Sequence, residues 1–381
     1  MKKLIIGFIP LLDCASLVAA SERGIAAEEG LDLVLVRETS WANIRDRIIV
    51  GHFDAAHMLG PMAVATSLGI GHVKVPLVAS CSFGLGGNAI TVSLTLWEGM
   101  CRAGASPGSH PRIPAMALKR VVAAREREGL PPLTFGMVYP FSCHNYELRY
   151  WLASAGINPD RDVRLVVIPP PLLADALRAG QIDGFCVGEP WSSVAVDAGI
   201  GAIAASTAAI WPSSPEKVLG CRAEWAERHP AELGALVRAL YRAALWCEQP
   251  ENHAELARLL AQPRHVGVAA ETLLRALEGR LVLTPGGASV ELVDFFVPAR
   301  CCATFPWVSH ALWFYAQMVR WRQIEPLSEH LQLARSSYRP DLYRAALAPL
   351  GIEAPREDSK IEVFFDNAVF DPADPANYRL R

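Results

Sequence analysis

The sequence lacks the features that mark membrane-spanning, nucleic-acid-binding and disulfide-linked proteins. No uninterrupted apolar stretch reaches the roughly 18 residues of a membrane-spanning helix. The net charge is only −3 and no long run of Lys or Arg occurs, so a nucleic acid is not expected as a direct ligand. The nine cysteines are odd in number, scattered, and form no CxxC motif. They predict reduced thiols and a cytoplasmic location.

The motifs of common catalytic and metal sites are also missing. There is no GxGxxG, GxxxxGKS or HExxH sequence. The glycine-rich "GLGGNA" at 84–89 precedes a predicted strand instead of a helix, which disfavours a phosphate-binding loop. Cys143 and His144 are adjacent, so on a helix they would project in different directions and would not form a nucleophilic pair. We therefore expect no catalytic residues, no metal and no cofactor.

The amino-terminal segment could be mistaken for a secretion signal. Lys2 and Lys3 precede an apolar run, but Pro10 and Asp13 interrupt that run early. The pattern favours a buried first strand at 4–9 that leads into a helix.

The pattern of apolar residues predicts an α/β fold. Over residues 1 to 221, short apolar runs alternate with amphipathic segments of helix length, which is typical of mainly parallel sheets. The predicted strands are 4–8, 32–36, 54–57, 74–80, 88–93, 133–138, 163–168, 183–187, 201–205 and 217–221. Beyond residue 222 the strands are predicted to stop, and 222–262, 268–280, 306–322 and 327–349 are predicted helices.

A chain of 381 residues is long for one hydrophobic core, so two lobes are expected. We predict that residues 1–90 and 217–350 form lobe I with a helical layer, and that residues 91–216 form lobe II. The strand at 88–93 would leave the first lobe and the strand at 217–221 would return to it. Residues 351–381 are predicted to be a surface tail.

Two helices are predicted to begin directly after strands, where free backbone N–H groups favour anions. Thr39 or Ser40 would cap the first helix and place Trp41 in its first turn. Ser142 would cap the second and place His144 in its first turn. If both turns face one cleft, an indole and an imidazole meet there. The alternative is that Trp41 only packs its helix against the sheet.

Lys217 opens an apolar stretch instead of lying on a charged face. A lysine in such a position is either a solvated residue at the edge of a sheet or, in the company of other polar groups, part of a binding site.

Four segments in fixed order resemble a known family. They are "GFIPLLDCASLVAASERG", "SWANIRDRIIVGHFDAAHMLGPM", "HNYELRYWLASAGINPDRDVRLVVIPPP" and "IDGFCVGEPWSSVAV". Together they resemble the nitrate- and bicarbonate-binding proteins of ABC transporters, the NrtA/CmpA family, over residues 4 to about 280. The resemblance implies a type II periplasmic-binding-protein fold, the two-lobed Venus flytrap.

The resemblance also implies a nitrate site at Trp41, Asn88, His144 and Lys217. Asn88 stands where relatives carry glutamine, so its amide reaches less far by one methylene. The calcium associated with bicarbonate binding is not carried over, because no matching set of carboxylates can be identified.

Because the chain starts almost directly at its first strand, it looks most like the NasS group of cytoplasmic nitrate/nitrite sensors. This resemblance implies an RNA-binding antiterminator partner, NasT-like, which would be released when nitrate or nitrite binds. The alternative is the substrate-binding component of a nitrate or bicarbonate ABC transporter. An enzyme similar to the thiamin-pyrimidine synthases is less favoured, because such enzymes need a tight cysteine cluster and only Cys301 and Cys302 adjoin here.

Overall fold

The computed structural model describes residues 1–71, 73–375 and 378 of the chain. The strands are β1 Lys2–Phe8, β2 Leu31–Arg37, β3 Ala55–Leu59, β4 Leu77–Ser82, β5 Leu85–Gly86, β6 Asn88–Ser93, β7 Thr134–Met137, β8 Arg164–Val167, β9 Gly184–Gly188, β10 Gly201–Ser206, β11 Lys217–Arg222, β12 Arg280–Val282, β13 Ser289–Glu291, β14 Phe296–Val297, β15 Glu362–Val363 and β16 Val369–Phe370.

The helices lie between the strands and form a layer at the carboxyl-terminal end. They are α1 Ala15–Glu22, α2 Ile25–Glu28, α3 Trp41–Ile49, α4 Gly60–Leu68, α5 Leu94–Arg102, α6 Arg112–Arg127, α7 Cys143–Ser154, α8 Leu173–Arg178, α9 Trp191–Asp197, α10 Thr207–Ile210, α11 Ala223–Arg228, α12 Pro230–Glu248, α13 His253–Leu260, α14 Ala270–Leu277, α15 Val308–Arg320, α16 Ser328–Ser336 and α17 Pro340–Leu347. None of these described helices is both long and apolar enough to cross a bilayer.

Two five-stranded sheets form the centres of the two lobes. The first has the order β2-β1-β3-β11-β4 and the second has the order β10-β6-β9-β7-β8. The chain enters the second sheet with β6 and returns to the first with β11. All ten strands predicted before residue 222 are present, with ends that differ by up to three residues.

The prediction of mainly parallel strands is wrong for half of the pairings. β11 runs antiparallel to both β3 and β4, and β6 runs antiparallel to both β9 and β10. These two strands carry the chain between the lobes, so each enters its sheet against the direction of its neighbours. Apolar periodicity contains no information about strand direction.

The prediction that strands stop at residue 222 is also wrong. β12 and β13 form a small antiparallel hairpin, and β14 pairs with β5 in the glycine-rich segment 84–89. These strands are two or three residues long, too short for an alternating pattern to be recognised. Helices α12 to α17 form the predicted layer, with α12 packed on α1.

The carboxyl-terminal segment is not confined to the surface. Phe364 is 3% exposed and Phe370 is fully buried. The ring of Phe364 packs against Trp211 and Trp313 at centroid distances of 5.0 and 5.6 Å. Widely spaced aromatic residues of the predicted tail therefore cover part of the hydrophobic core. Residues 376, 377 and 379–381, which the prediction also included, lie outside the described part.

The two lobes contact each other next to the ends of β1 and β9. The amide of Leu12 donates to the carbonyl of Glu189 at 2.7 Å, and Nε1 of Trp191 donates to the carbonyl of Pro10 at 3.0 Å. A Cβ atom added at Gly188 would lie 3.1 Å from Oδ1 of Asn88 and 3.6 Å from Oδ2 of Asp13. The edges of the two sheets thus face each other at van der Waals distance, and the cleft is closed.

The cysteines provide a direct test of this packing. All nine are free thiols; Cys101, Cys301 and Cys302 are exposed and the other six are buried. Burial raises the pKa of buried thiols, for example to about 12 for Cys81 and Cys221. We expect an alkylating reagent to modify the three exposed cysteines in the native protein and all nine after unfolding without reductant, counted by mass spectrometry. A disulfide, seen as fewer than nine modifications, would contradict this arrangement.

Candidate functional site

Two of the predicted site residues lie at the facing edges of the sheets. Lys217 begins β11 and pairs with Leu59 at the end of β3. Asn88 begins β6 and pairs with Gly188 at the end of β9. Because β6 and β11 are antiparallel to these neighbours, their amino ends lie at the carboxyl ends of β3 and β9. That edge is where ligands bind in open α/β sheets.

The other two predicted residues lie at helix starts, as expected. Oγ of Ser40 accepts a hydrogen bond from the amide of Asn43 at 3.3 Å, so Ser40, not Thr39, caps α3 and Trp41 is its first residue. Oγ of Ser142 accepts from the amide of Asn145 at 3.0 Å, and His144 is the second residue of α7. Trp41 is 1% exposed and His144 is fully buried.

Lys217 is not a solvated edge residue, because its side chain is fully buried. Nζ donates to Oδ2 of Asp13 at 2.5 Å and to Oε2 of Glu216. Burial alone would lower the pKa of Lys217, but the negative charges of Asp13 and Glu216 outweigh it and raise the pKa above its ordinary value. The lysine is therefore a charged ammonium group held by two buried acids.

Asp13 connects the lysine to a histidine. Its Oδ1 lies 2.8 Å from Nε2 of His57, which is on β3. Although burial opposes it, the charge of Lys217 and the hydrogen bond with His57 hold the pKa of Asp13 well below its usual value. Burial lowers the pKa of His57, so this ring is neutral at physiological pH and donates to the Asp13 carboxylate.

Asn88 links Glu216, which contacts Lys217, to a third acid, Glu147. Nδ2 of Asn88 donates to Oε1 of Glu216 and to Oε2 of Glu147 at 3.3 Å. Burial raises the pKa of Glu147 to about 7 and raises that of Glu216 well above its ordinary value. We call the six residues joined in this way the Lys217 cluster: Asp13, His57, Asn88, Glu147, Glu216 and Lys217.

Trp41 forms an aromatic wall beside the Lys217 cluster. Nζ of Lys217 lies 6.0 Å from the centroid of the Trp41 ring. The same ring is 5.7 Å from that of His57, which in turn packs edge-on against Phe83 at 5.1 Å. An ammonium next to the face of an indole is stabilised by the ring quadrupole.

Several polar nitrogens of this region have no partner among the described residues. They are Nε1 of Trp41, Nδ1 of His57 and both ring nitrogens of His144. The indole N–H of Trp41 is a donor and the neutral ring of His144 has one donor and one acceptor, whereas Nδ1 of His57 is an acceptor because Nε2 carries the proton. Burial lowers the pKa of His144 well below its ordinary value and the charge of Lys217 lowers it further, so the ring is neutral. An unpaired buried donor costs about 1–3 kcal/mol, so a ligand with acceptor oxygens would be stabilised by hydrogen bonds from the N–H groups of Trp41 and His144.

The structure thus brings Trp41, Asn88, His144 and Lys217 into one buried region, and their role in ligand binding remains a prediction. Sequence reasoning missed the three acids and His57. Two signals were available. Glu216 directly precedes Lys217 in "PEK", and Glu147 follows His144 by three residues, on the same face of a helix.

The geometry does not favour a cysteine nucleophile. Sγ of Cys143 donates to the carbonyl of Glu216 at 3.4 Å, and burial raises the pKa of this thiol well above its usual value. Within the described ranges, no group of three or more His, Cys, Asp or Glu residues is arranged to hold a metal ion.

A polar site buried between two α/β lobes defines the class of two-lobed binding proteins. The crystal structure of the periplasmic nitrate-binding protein NrtA from Synechocystis matches 99% of this chain and 97% of its own, with a TM-score of 0.91 and 28% identity. The alkanesulfonate-binding protein SsuA from Xanthomonas axonopodis matches with a TM-score of 0.59 at 17% identity, which shows the fold alone. The predicted type II periplasmic-binding-protein fold is confirmed.

The family follows from sequence. Residues 1–261 match the model of the NMT1-like family, and the chain belongs to this family. It is 33% identical to the nitrate/nitrite binding protein NrtA of Synechococcus elongatus, over 99% of this chain and 85% of the relative. It is 38% identical to the nitrate import ATP-binding protein NrtC of Synechocystis over 99% of this chain, but spans only 54% of that relative. The resemblance to the NrtA/CmpA proteins is therefore confirmed.

The ion pair of Lys217 should be required for stability. Replacing Lys217 by Met keeps most of the apolar stem but leaves Asp13 and Glu216 buried without their cation. Breaking a buried pair in this way should lower the free energy of unfolding by about 3–5 kcal/mol, measured by urea denaturation. The matched control is Lys119→Met, because Lys119 is exposed on α6 and its replacement should change stability little. Equal effects of the two substitutions would contradict the buried pair.

Proposed function

We propose that the protein binds nitrate or nitrite between its two lobes and that it acts as a binding protein, not as a catalyst. The observation that carries this proposal is the combination of one buried ammonium, Lys217, with an indole face 6.0 Å away and unpaired ring nitrogens on His144. Nitrate is a flat monoanion and a weak hydrogen-bond acceptor. A binding site for nitrate therefore needs one positive charge, a few hydrogen-bond donors and apolar walls that exclude water.

The names of the relatives support nitrate or nitrite as the ligand and suggest bicarbonate as an alternative. The NrtA relatives are named as nitrate/nitrite binding proteins, at 33% and 30% identity. The bicarbonate transport ATP-binding protein CmpC of Synechocystis is 36% identical, although this chain spans only 54% of it, and the bicarbonate-binding protein CmpA is 29% identical. Hydrogencarbonate is, like nitrate, a trigonal planar monoanion, so we propose it as the second candidate ligand.

Binding must be coupled to movement of the lobes. Lys217, His144 and Asn88 are all fully buried in the closed structure. An ion can therefore enter or leave only when the lobes separate, and an ion that contacts both lobes favours the closed state. The change in shape is the signal that a second protein could recognise.

Two outputs are consistent with such a change in shape. The relatives favour a role as the substrate-binding unit of a nitrate or bicarbonate ABC importer. The nine free thiols favour a reducing compartment, and with it a cytoplasmic nitrate/nitrite sensor that controls nitrate-assimilation genes. In that second role the open protein would hold an RNA-binding antiterminator of the NasT type, and the closed protein would release it.

Nitrate binding is tested with a variant of His144. Removing the ring in His144→Ala deletes a donor to the ion but no hydrogen bond within the described part of the protein. We expect the dissociation constant for nitrate, measured by calorimetry, to rise at least tenfold, which corresponds to about 1.4 kcal/mol.

The control for this experiment is His110→Ala, because His110 is an exposed histidine in the loop before α6. Its replacement should leave the affinity unchanged. Nitrate that binds equally well to the native protein and to both variants would place the site elsewhere. The same titration with bicarbonate tests the second ligand.

The sensor role is tested with the partner. If the partner binds only the open form, linkage requires that nitrate weakens the complex, with a coupling of about 1–3 kcal/mol. A tagged antiterminator of the NasT type should therefore retain the protein without nitrate and release it during a nitrate titration, observed by co-purification.

A Trp41→Ala variant should still be captured but should need more nitrate for release, because the ring lines the cleft and not the outer surface. A complex that persists at saturating nitrate and nitrite would exclude this sensor role and leave the transport role.

A further inference from the structure

The Lys217 cluster contains more acid than base. Lys217 is its one cation; it donates to Asp13 and Glu216, and Asn88 joins Glu147 to the same group. These acids are 3%, 1% and 1% exposed. With all three ionised, the buried cluster would carry a net charge of −2 before any anion binds. Buried charges without partners cost several kcal/mol each, so this state is strongly disfavoured.

The histidines do not supply the missing positive charge. His57 donates to Asp13 as a neutral ring, and His144 has no partner within the described residues. Burial lowers the pKa of both rings. A monoanion that enters this region would therefore add to an excess of negative charge, unless the acids bind protons.

Glu216 and Glu147 are the acids of the cluster that can bind a proton. Asp13 is committed to Lys217 and His57, which stabilise its ionised form. Glu147, in contrast, accepts one hydrogen bond from Asn88, and its other oxygen, Oε1, has no partner among the described residues. Both glutamates lie where an anion beside Lys217 would repel their charges directly.

We propose that the protein takes up its anion together with at least one proton, and that Glu147 and Glu216 are the residues that accept it. The proposal rests on the proposed binding of nitrate between the lobes. In the open protein the two carboxyl groups contact water and are ionised at neutral pH. When the lobes close on the anion, the same groups lose that water and bind the proton. The two glutamates thereby determine the pH range in which the site binds a monoanion.

The sign of the pH dependence follows from linkage. Burial raises the pKa of Glu147 from about 4.5 to about 7, and that of Glu216 well above its ordinary value. Closure of the lobes therefore takes up protons when the pH lies between the pKa values of the open and the closed protein. An anion next to the two glutamates raises their pKa values further, so proton uptake extends to higher pH. The affinity for nitrate must rise as the pH falls, by up to about tenfold per unit for each proton bound.

Other titratable groups face this pair and have to be considered. Asp13 stays ionised, Lys217 stays charged and both histidines stay neutral over this range. Burial raises the pKa of the Cys143 and Cys186 thiols well above the usual value, so both remain protonated. The groups are Asp13 in the turn after β1, His57 on β3, Cys143 and His144 on α7, Cys186 on β9 and Lys217 on β11.

The experiment is calorimetric titration of the full chain with nitrate, from about pH 6 to about pH 8, in pairs of buffers with different ionisation enthalpies. The dependence of the heat on the buffer gives the number of protons bound with each ion. We expect proton uptake and a higher affinity at low pH. In Glu147→Gln the amide is neutral at every pH, so proton uptake should fall and the affinity at about pH 8 should approach that at about pH 6.

Two further variants make the result decisive. Glu216→Gln tests the second acid and should also reduce proton uptake. Glu98→Gln is the matched control, because Glu98 is exposed on α5 of the same lobe as Glu147, and it should behave like the native protein. Nitrate that binds with one affinity at all pH values, without proton uptake, overturns this inference and leaves the proposed function intact. Nitrate that binds at no pH overturns the proposed function itself.

Discussion

The buried contact between Lys217 and Asp13 constrains the arrangement of lobe I. The ammonium lies at the start of β11 and the carboxylate lies in the turn after β1, with β3 between the two strands. Neither group reaches water, so each depends on the other for its charge. His57, on the intervening strand, completes the contact through the second oxygen of Asp13. The edge of the first sheet is in this way fixed around one positive charge.

The two lobes contribute different chemistry to the site. Lobe I supplies the ion pair and the aromatic wall of Trp41, whereas the second sheet and its helix α7 supply the amide of Asn88, the imidazole of His144 and the acid of Glu147. Glu216 lies where the chain returns from one lobe to the other, and it contacts both Lys217 and Asn88. The cation of Lys217 and the unpaired imidazole of His144 therefore come from different lobes. A ligand therefore needs the closed form, which is why binding and shape are coupled in this protein.

Most of the fold could be predicted from sequence because central strands such as β3, β4, β9 and β10 are fully buried. The apolar runs of β1, β3, β4, β9 and β10 are compact and are separated by helices of recognisable length. The direction of β6 and β11 could not be predicted, because direction depends on where the chain crosses between lobes. The tail was misjudged for another reason. Its buried residues, such as Phe364 and Phe370, are widely spaced in a polar sequence and pack against helices far away in the chain.

The site was predictable only where local structure positions a side chain. Ser40 and Ser142 cap helices, and those caps place Trp41 and His144. Asp13 has no such local signal: its partner Lys217 is 204 residues away, and an aspartate after a strand is ordinarily solvated.

Glu147 differs from Asp13, because its position within a helix gives some indication of its role. In "CHNYELRYWL", α7 has residues Cys143 to Leu148 all buried, so this glutamate has no solvated face on which to lie. A helix without a polar face must pair its acids internally or keep them protonated. A carboxyl group in such a helix, one turn from a histidine, is therefore a candidate site residue, and it was the burial of the helix that revealed it.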